Sequence, residues 1–160
     1  MGKENNIKEK FKLALISTAN AISDDFSFEK DKVNNKKIDL FELEKLDTRH
    51  DFIKYRAESD SSALKKKFSN TEVYKKNLPK NLSYKNLYEL SEKIRCELLG
   101  SKILKGVGAN LKENYINKIS LKKNDQLISK EDVNVNEAFE LYMLENFFNI
   151  KLDHQNEKIL

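Results

Sequence analysis

One proline and four glycines are all that break up the 160 residues of this chain. Average usage is about 5% Pro and 7% Gly, and these two residues are what ordinarily end helices. So few breakers over such a length favour helices. Three of the four glycines, Gly100, Gly106 and Gly108, fall in one stretch, "SEKIRCELLGSKILKGVGANLKENY" (91–115). That stretch also holds the single cysteine, Cys96, and one of three arginines, Arg95.

The apolar spacing agrees. Ile7, Phe11, Ala14, Leu15, Thr18 and Ile22 recur at three and four residues, which predicts an amphipathic helix over 5–23. The period then shortens: Phe26 and Phe28 alternate, as do Ile38 and Leu40, around a turn-prone Asn34-Asn35, a hairpin pattern. Thr48 and Asp51 form a capping-box spacing ahead of a helix carrying Ile53, Ala57, Asp60 or Ser61, Leu64 and Phe68 on one face. Pro79 marks a break. Leu87, Leu90, Ile94, Leu98 and Ile103 extend a long helix from Ser83, and another begins near Val107 with Leu111, Tyr115, Ile116 and Ile119. Ser129 and Asp132 repeat the capping-box spacing before a last apolar face, Phe139, Tyr142, Met143, Phe147 and Phe148. The expected class is mainly α: a compact helical domain of about five helices over 1–150, with a small β-hairpin after the first, and a loose tail over 151–160.

Catalytic chemistry finds little support. Gly106-Val107-Gly108 lacks the third glycine of a dinucleotide fingerprint and follows no strand, and no Gly-Lys-Ser/Thr closes a P-loop. The glycines read instead as a helical elbow, with Gly106 ending one helix in a left-handed conformation and Gly108 letting the next pack close. Gly100 inside a helix costs about 1 kcal/mol relative to alanine, a cost that a close contact at a helix crossing would justify. Cys96 has no histidine beside it and reads as a structural thiol; His50 and His154 are too far apart to suggest a metal pair. No catalytic, cofactor-binding or metal-ligating residue is expected. A lone cysteine fits a reducing, cytoplasmic setting, and no apolar run approaches the roughly 20 residues of a spanning helix. The net charge of +4 and pI near 8.9 admit an alternative, a small basic helical module binding nucleic acid. The lysines, including Lys65 to Lys67, are not gathered on one face, which counts against it.

Arginine is rare enough to single out: Arg49, Arg56 and Arg95 stand among 27 lysines. Arg56 and Asp60, four apart on a helix, share a face. A guanidinium tolerates partial burial and forks onto carboxylates. The expectation is an ionic cluster between the two helices, joining Arg56 and Asp60 to Arg95 or Glu97, with a sharp loss of melting temperature in Arg56→Ala.

"YRAESDSSALKKKFSN" and "LSEKIRCELLGSKILKGVGANL", in that order, resemble the N-terminal domain of the T subunit of aerobic cobaltochelatase, the CobT family. The first carries Arg56, Asp60, Ala63 and Leu64 of an Arg-Gly-x-Ala-Asp-x-x-Ala-Leu pattern, with Ala57 in place of its glycine, and Glu58 lies within it. The second carries Arg95, Glu97 and Gly100, then Gly106, Val107, Asn110 and Leu111. The resemblance covers roughly 8–120. It implies a non-catalytic part in cobalamin biosynthesis, within a ligase complex of corrin metabolism. A large subunit of that complex binds the corrin and cobalt, an AAA+ subunit hydrolyses MgATP, and the T subunit assembles with the ATPase; a homo-oligomer is also compatible. The family's C-terminal von Willebrand-type domain, with its Asp-x-Ser-x-Ser metal site, is not expected here, since "ESDSSA" has the wrong spacing and lies on a helix. Arg56, Glu58, Asp60, Leu64, Arg95, Glu97, Gly100, Gly106 and Asn110 are the structural or interaction candidates.

Overall fold

A computed structural model describes residues 2–24, 46–122 and 134–152. Among these residues the chain forms six helices: α1 (Gly2–Ser23), α2 (Arg49–Phe68), α3 (Thr71–Asn77), α4 (Leu82–Ile103), α5 (Lys105–Lys122) and α6 (Val135–Phe148). The mainly α class holds, with one helix beyond the expected five. The additional element is α3, a seven-residue helix too short for apolar periodicity to reveal. The hairpin expected over 26–40 and the Ser129–Asp132 capping box lie outside the described residues.

Local chemistry explains where four of the helices start. Thr48 accepts from the Asp51 amide while the Asp51 carboxylate accepts from the Thr48 amide at 2.9 Å, the reciprocal box the spacing predicts. Asparagine does the same work elsewhere: Asn70, Asn81 and Asn134 cap α3, α4 and α6 with their side-chain carbonyls. Asn149 ends α6 in the left-handed region (φ 51°), which asparagine tolerates.

α2 lies at the centre, packed on α1, α4 and α5, while α6 packs on α4. Phe11 and Phe52 meet edge to face at 4.9 Å, fixing α1 on α2. Leu64, Ile94, Leu111 and Leu144 are fully buried in the common core. Each contributes about 1.5–3 kcal/mol through lost apolar exposure. Ile150 and Leu152, after α6, are buried as well, Leu152 against Leu141. The inward packing therefore continues into the first residues of the expected tail.

The elbow between α4 and α5 is tighter than its glycines suggest. Leu104 alone separates the helices, its amide donating to the Gly100 carbonyl at 2.7 Å and its carbonyl accepting from Gly108 at 3.0 Å. Leu104 turns the chain at φ −114°, ψ 85°. No described glycine has a positive φ. Gly106 therefore does not end a helix in a left-handed conformation; it sits in the first turn of α5, with open space where a Cβ would be. Gly108 behaves as expected: a Cβ there would come within 3.0 Å of the Ser101 Cβ. The turn needed no left-handed residue because the helix axis changes direction at a single non-helical residue with negative φ, Leu104.

Candidate functional site

α2, α4, α5 and the start of α6 enclose an open cleft of about 740 Å³. Its floor is built around Glu97, whose carboxylate is 1% exposed. Ser61 from α2 donates to Oε1 at 2.6 Å, and the Tyr115 hydroxyl from α5 donates to Oε2 at 2.6 Å. The Lys93 ammonium, one turn back on α4, lies 4.0 Å from Oε1. Two helices, α2 and α5, thus supply hydrogen-bond donors to one buried carboxylate, and an ammonium stands near it, which is what makes its burial tolerable. Burial, reinforced by Glu97, pushes the Tyr115 phenol far above its ordinary pKa, so it stays a donor.

Lys93 and Lys118 both stand over the Tyr115 ring, at 5.4 and 5.9 Å from its centre. Lys118 remains exposed to solvent at its surface position. The protein around it, followed by the nearby Lys93 charge, lowers its pKa, against the pull of Glu140, Glu58 and Glu97.

A second buried carboxylate lies deeper in α2. Asp60 is 2% exposed and accepts from the Asn110 amide of α5 at 3.0 Å. Desolvation raises its pKa; Asn110 and, through space, Arg56 oppose that shift. At the other end of the α2–α4 contact, Arg95 forks onto Glu92 (2.7 and 2.8 Å) and reaches the Phe68 carbonyl at 2.9 Å, while Ser69 donates to Glu92 at 2.7 Å. These bonds tie the end of α2 to α4. The Arg95 hydrogen bond is the largest cause holding the Glu92 carboxyl down at about 2. Cys96 beside it is pushed up to about 11, by burial first and then Glu92, and so stays a neutral thiol at pH 7.

Among the described residues no three His, Cys, Asp or Glu side chains gather as a metal set, and no helix is long and apolar enough to cross a membrane.

The comparison that decides kinship is a family model described as "Cobalamin biosynthesis protein CobT", which matches residues 5–160. The chain belongs to the CobT family. No curated protein and no solved structure matches it. Membership gives the chain a role in cobalamin biosynthesis and implies a place in a multi-subunit cobaltochelatase, and the match extends well past the residues that carried the resemblance.

The CobT motif residues can now be located. Leu64 and Gly100 meet at the α2–α4 crossing; a Cβ on Gly100 would lie 2.5 Å from Leu64 Cδ1. Asp60 joins Asn110, Glu97 forms the cleft floor, and Glu58 stands in the cleft wall. Gly106 contacts nothing that would require glycine. The ionic cluster expected between Arg56, Asp60, Arg95 and Glu97 does not form. Arg56 and Arg95 are exposed, whereas the two carboxylates are buried apart, each bonded by neutral donors. The reason is rotational: α2 turns Asp60 inward toward α5, and an arginine one turn back reaches solvent before it reaches α4. Arg56→Ala is therefore expected to change stability by no more than about 0.5 kcal/mol, measured by thermal melting, instead of the sharp loss expected from the spacing.

The Arg95–Glu92 fork makes its own pH prediction. The folded carboxyl at about 2 lies below its ordinary 4.5, so the pair contributes stability above pH 4.5 and loses it as pH falls toward 2. Glu92→Gln should be less stable than the parent at pH 6, with the gap closing between pH 4.5 and 2 in urea unfolding. A gap constant over that range would contradict the assignment.

The sequence placed Ser61 and Tyr115 on helix faces only as packing residues, and it did not single out Lys93 or Lys118. One signal was available: Glu97 occupies the next apolar position after Leu90 and Ile94, and a carboxylate in an apolar stripe requires buried donors.

Proposed function

We propose that this chain is a non-catalytic helical subunit, or part of one, of the ATP-dependent aerobic cobaltochelatase that inserts cobalt into hydrogenobyrinic acid a,c-diamide. It acts by assembling with the AAA+ subunit that hydrolyses MgATP, while the large subunit holds the corrin. Cobalt is cargo in this scheme, and both it and MgATP belong to the partner subunits. The supporting observation is what the buried family residues do. Asp60 with Asn110, Leu64 with Gly100, and Glu97 with Ser61 and Tyr115 all hold helices to one another. A motif whose buried residues fix the shape of a helical body suits a docking subunit better than a catalyst.

The test is co-elution of the purified chain with the AAA+ subunit and with the large subunit, with MgATP present. A complex with the ATPase that persists at moderate salt is expected. Failure to bind either subunit overturns the reading. A companion titration with DNA at two salt concentrations addresses the basic-module alternative, since phosphate binding falls steeply with salt.

A further inference from the structure

The cleft holds a buried side chain that the rest of the fold does not answer. Asn114 of α5 is 7% exposed and lines the cleft, with Leu111 and Lys118 on the same helix face. Its side-chain amide hydrogen-bonds to no described residue. Neither amide atom is sealed from solvent, unlike Asn20 Oδ1 and the Ser101 hydroxyl. The unbonded groups of Asn114 therefore open onto the cleft. Glu97, buried in the same floor, has both carboxylate oxygens bonded. Burying an amide without a partner costs free energy, so an unanswered one calls for a reason.

Charge does not supply that reason. Glu97 has Lys93 at 4.0 Å, Glu89 has Lys85 at 3.8 Å, and Glu137 is engaged as well. Glu58 and Glu140 remain in the lining with Lys65 and Lys118, so the two signs balance. An anionic ligand would meet the glutamates and a cation the lysines. What the cleft leaves open is neutral: the one carbonyl and two N–H donors of a carboxamide. An extended main chain presents the N–H and C=O of one residue along a single edge, and an asparagine amide can pair with both. The volume of about 740 Å³ lies within the roughly 300–1,000 Å³ of sites that enclose a ligand. Ala57, Leu90 and Leu111 add apolar surface for the flanking side chains.

We infer that the cleft receives an extended peptide segment of the AAA+ subunit, its main chain held by paired hydrogen bonds to the Asn114 amide. This rests on the assembly reading above.

The test is calorimetric titration of the intact chain with the intact AAA+ subunit and MgATP, alongside thermal melting of each variant. Asn114→Leu, close to the parent in size, should bind about tenfold more weakly. It should also melt at or above the parent temperature, because an unanswered amide leaves the interior. Asn146→Ala, on an exposed part of α6, should bind like the parent. Undiminished binding by Asn114→Leu overturns the inference and leaves assembly standing. A clear fall in its melting temperature does the same, since the amide would then serve the fold itself. Binding of MgATP alone to the parent but not to Asn114→Leu would assign the amide to a nucleobase, and also overturns it. A parent chain that does not bind the AAA+ subunit at all overturns both.

Discussion

Glu97→Ala is expected to destabilise the protein by about 3–5 kcal/mol, the range for breaking a buried charged network by removing one member. The substitution leaves the Ser61 and Tyr115 hydroxyls, each 2.6 Å from the lost oxygens, facing an empty space. Each buried donor without an acceptor costs about 1–3 kcal/mol, and the missing side-chain volume adds to that. For a chain of this length the melting temperature should fall by roughly 10 °C. Glu97→Gln should cost less, because one amide oxygen still accepts one hydroxyl while its NH₂ group meets the other. The decisive variant is the triple Glu97→Leu/Ser61→Ala/Tyr115→Phe, which removes charge and donors together. If the cost of Glu97→Ala comes from orphaned donors, the triple variant should regain most of the lost stability. Urea unfolding of the three variants at pH 7 checks the ranking, and a loss under 1 kcal/mol for Glu97→Ala would refute the cage as a structural element.

Gly100→Ala should cost roughly 2–3 kcal/mol, although alanine is the better helix former by about 1 kcal/mol. The opposing term is overlap: the new methyl would sit 2.5 Å from Leu64 Cδ1 and 2.8 Å from its Cγ. Leu64 is completely buried, so it has nowhere to retreat. Relieving the overlap means separating α2 from α4, which also strains the Glu97 cage and the Asp60–Asn110 bond. Thermal melting should show a fall of roughly 5–10 °C. Adding Leu64→Ala to Gly100→Ala should then cost much less than Leu64→Ala does alone, because the new methyl fills part of the cavity. Strict additivity of the two would show that the side chains do not share this space. The same replacement at Gly106, where a Cβ meets nothing, is the control and should be neutral or slightly stabilising.

Much of the helical body was legible without coordinates. The Thr48–Asp51 spacing located the start of α2 to within a residue, because a capping box depends only on groups three residues apart. The face through Ala57, Asp60 and Leu64 was readable for the same reason; an elbow was expected too, but at Gly106, two residues past the break at Leu104. α3 was missed because seven residues make too few turns to establish a period. The Arg56–Asp60 pairing went wrong in a more instructive way. Spacing shows that two side chains can share a face, but it does not show which of them the next helix will cover.

Periodicity, breakers and caps act over about four residues, so the linear chain by itself determined that this protein would be a stack of amphipathic helices with a corner between Ile103 and Val107. Which glycine mattered, which carboxylates were buried, and which donors answered them were decided only by packing. Glu97 finds Ser61 from 36 positions earlier and Tyr115 from 18 positions later. Such partners meet through the angle at which α2, α4 and α5 cross, and that angle follows from how all their side chains fill the shared interior at once.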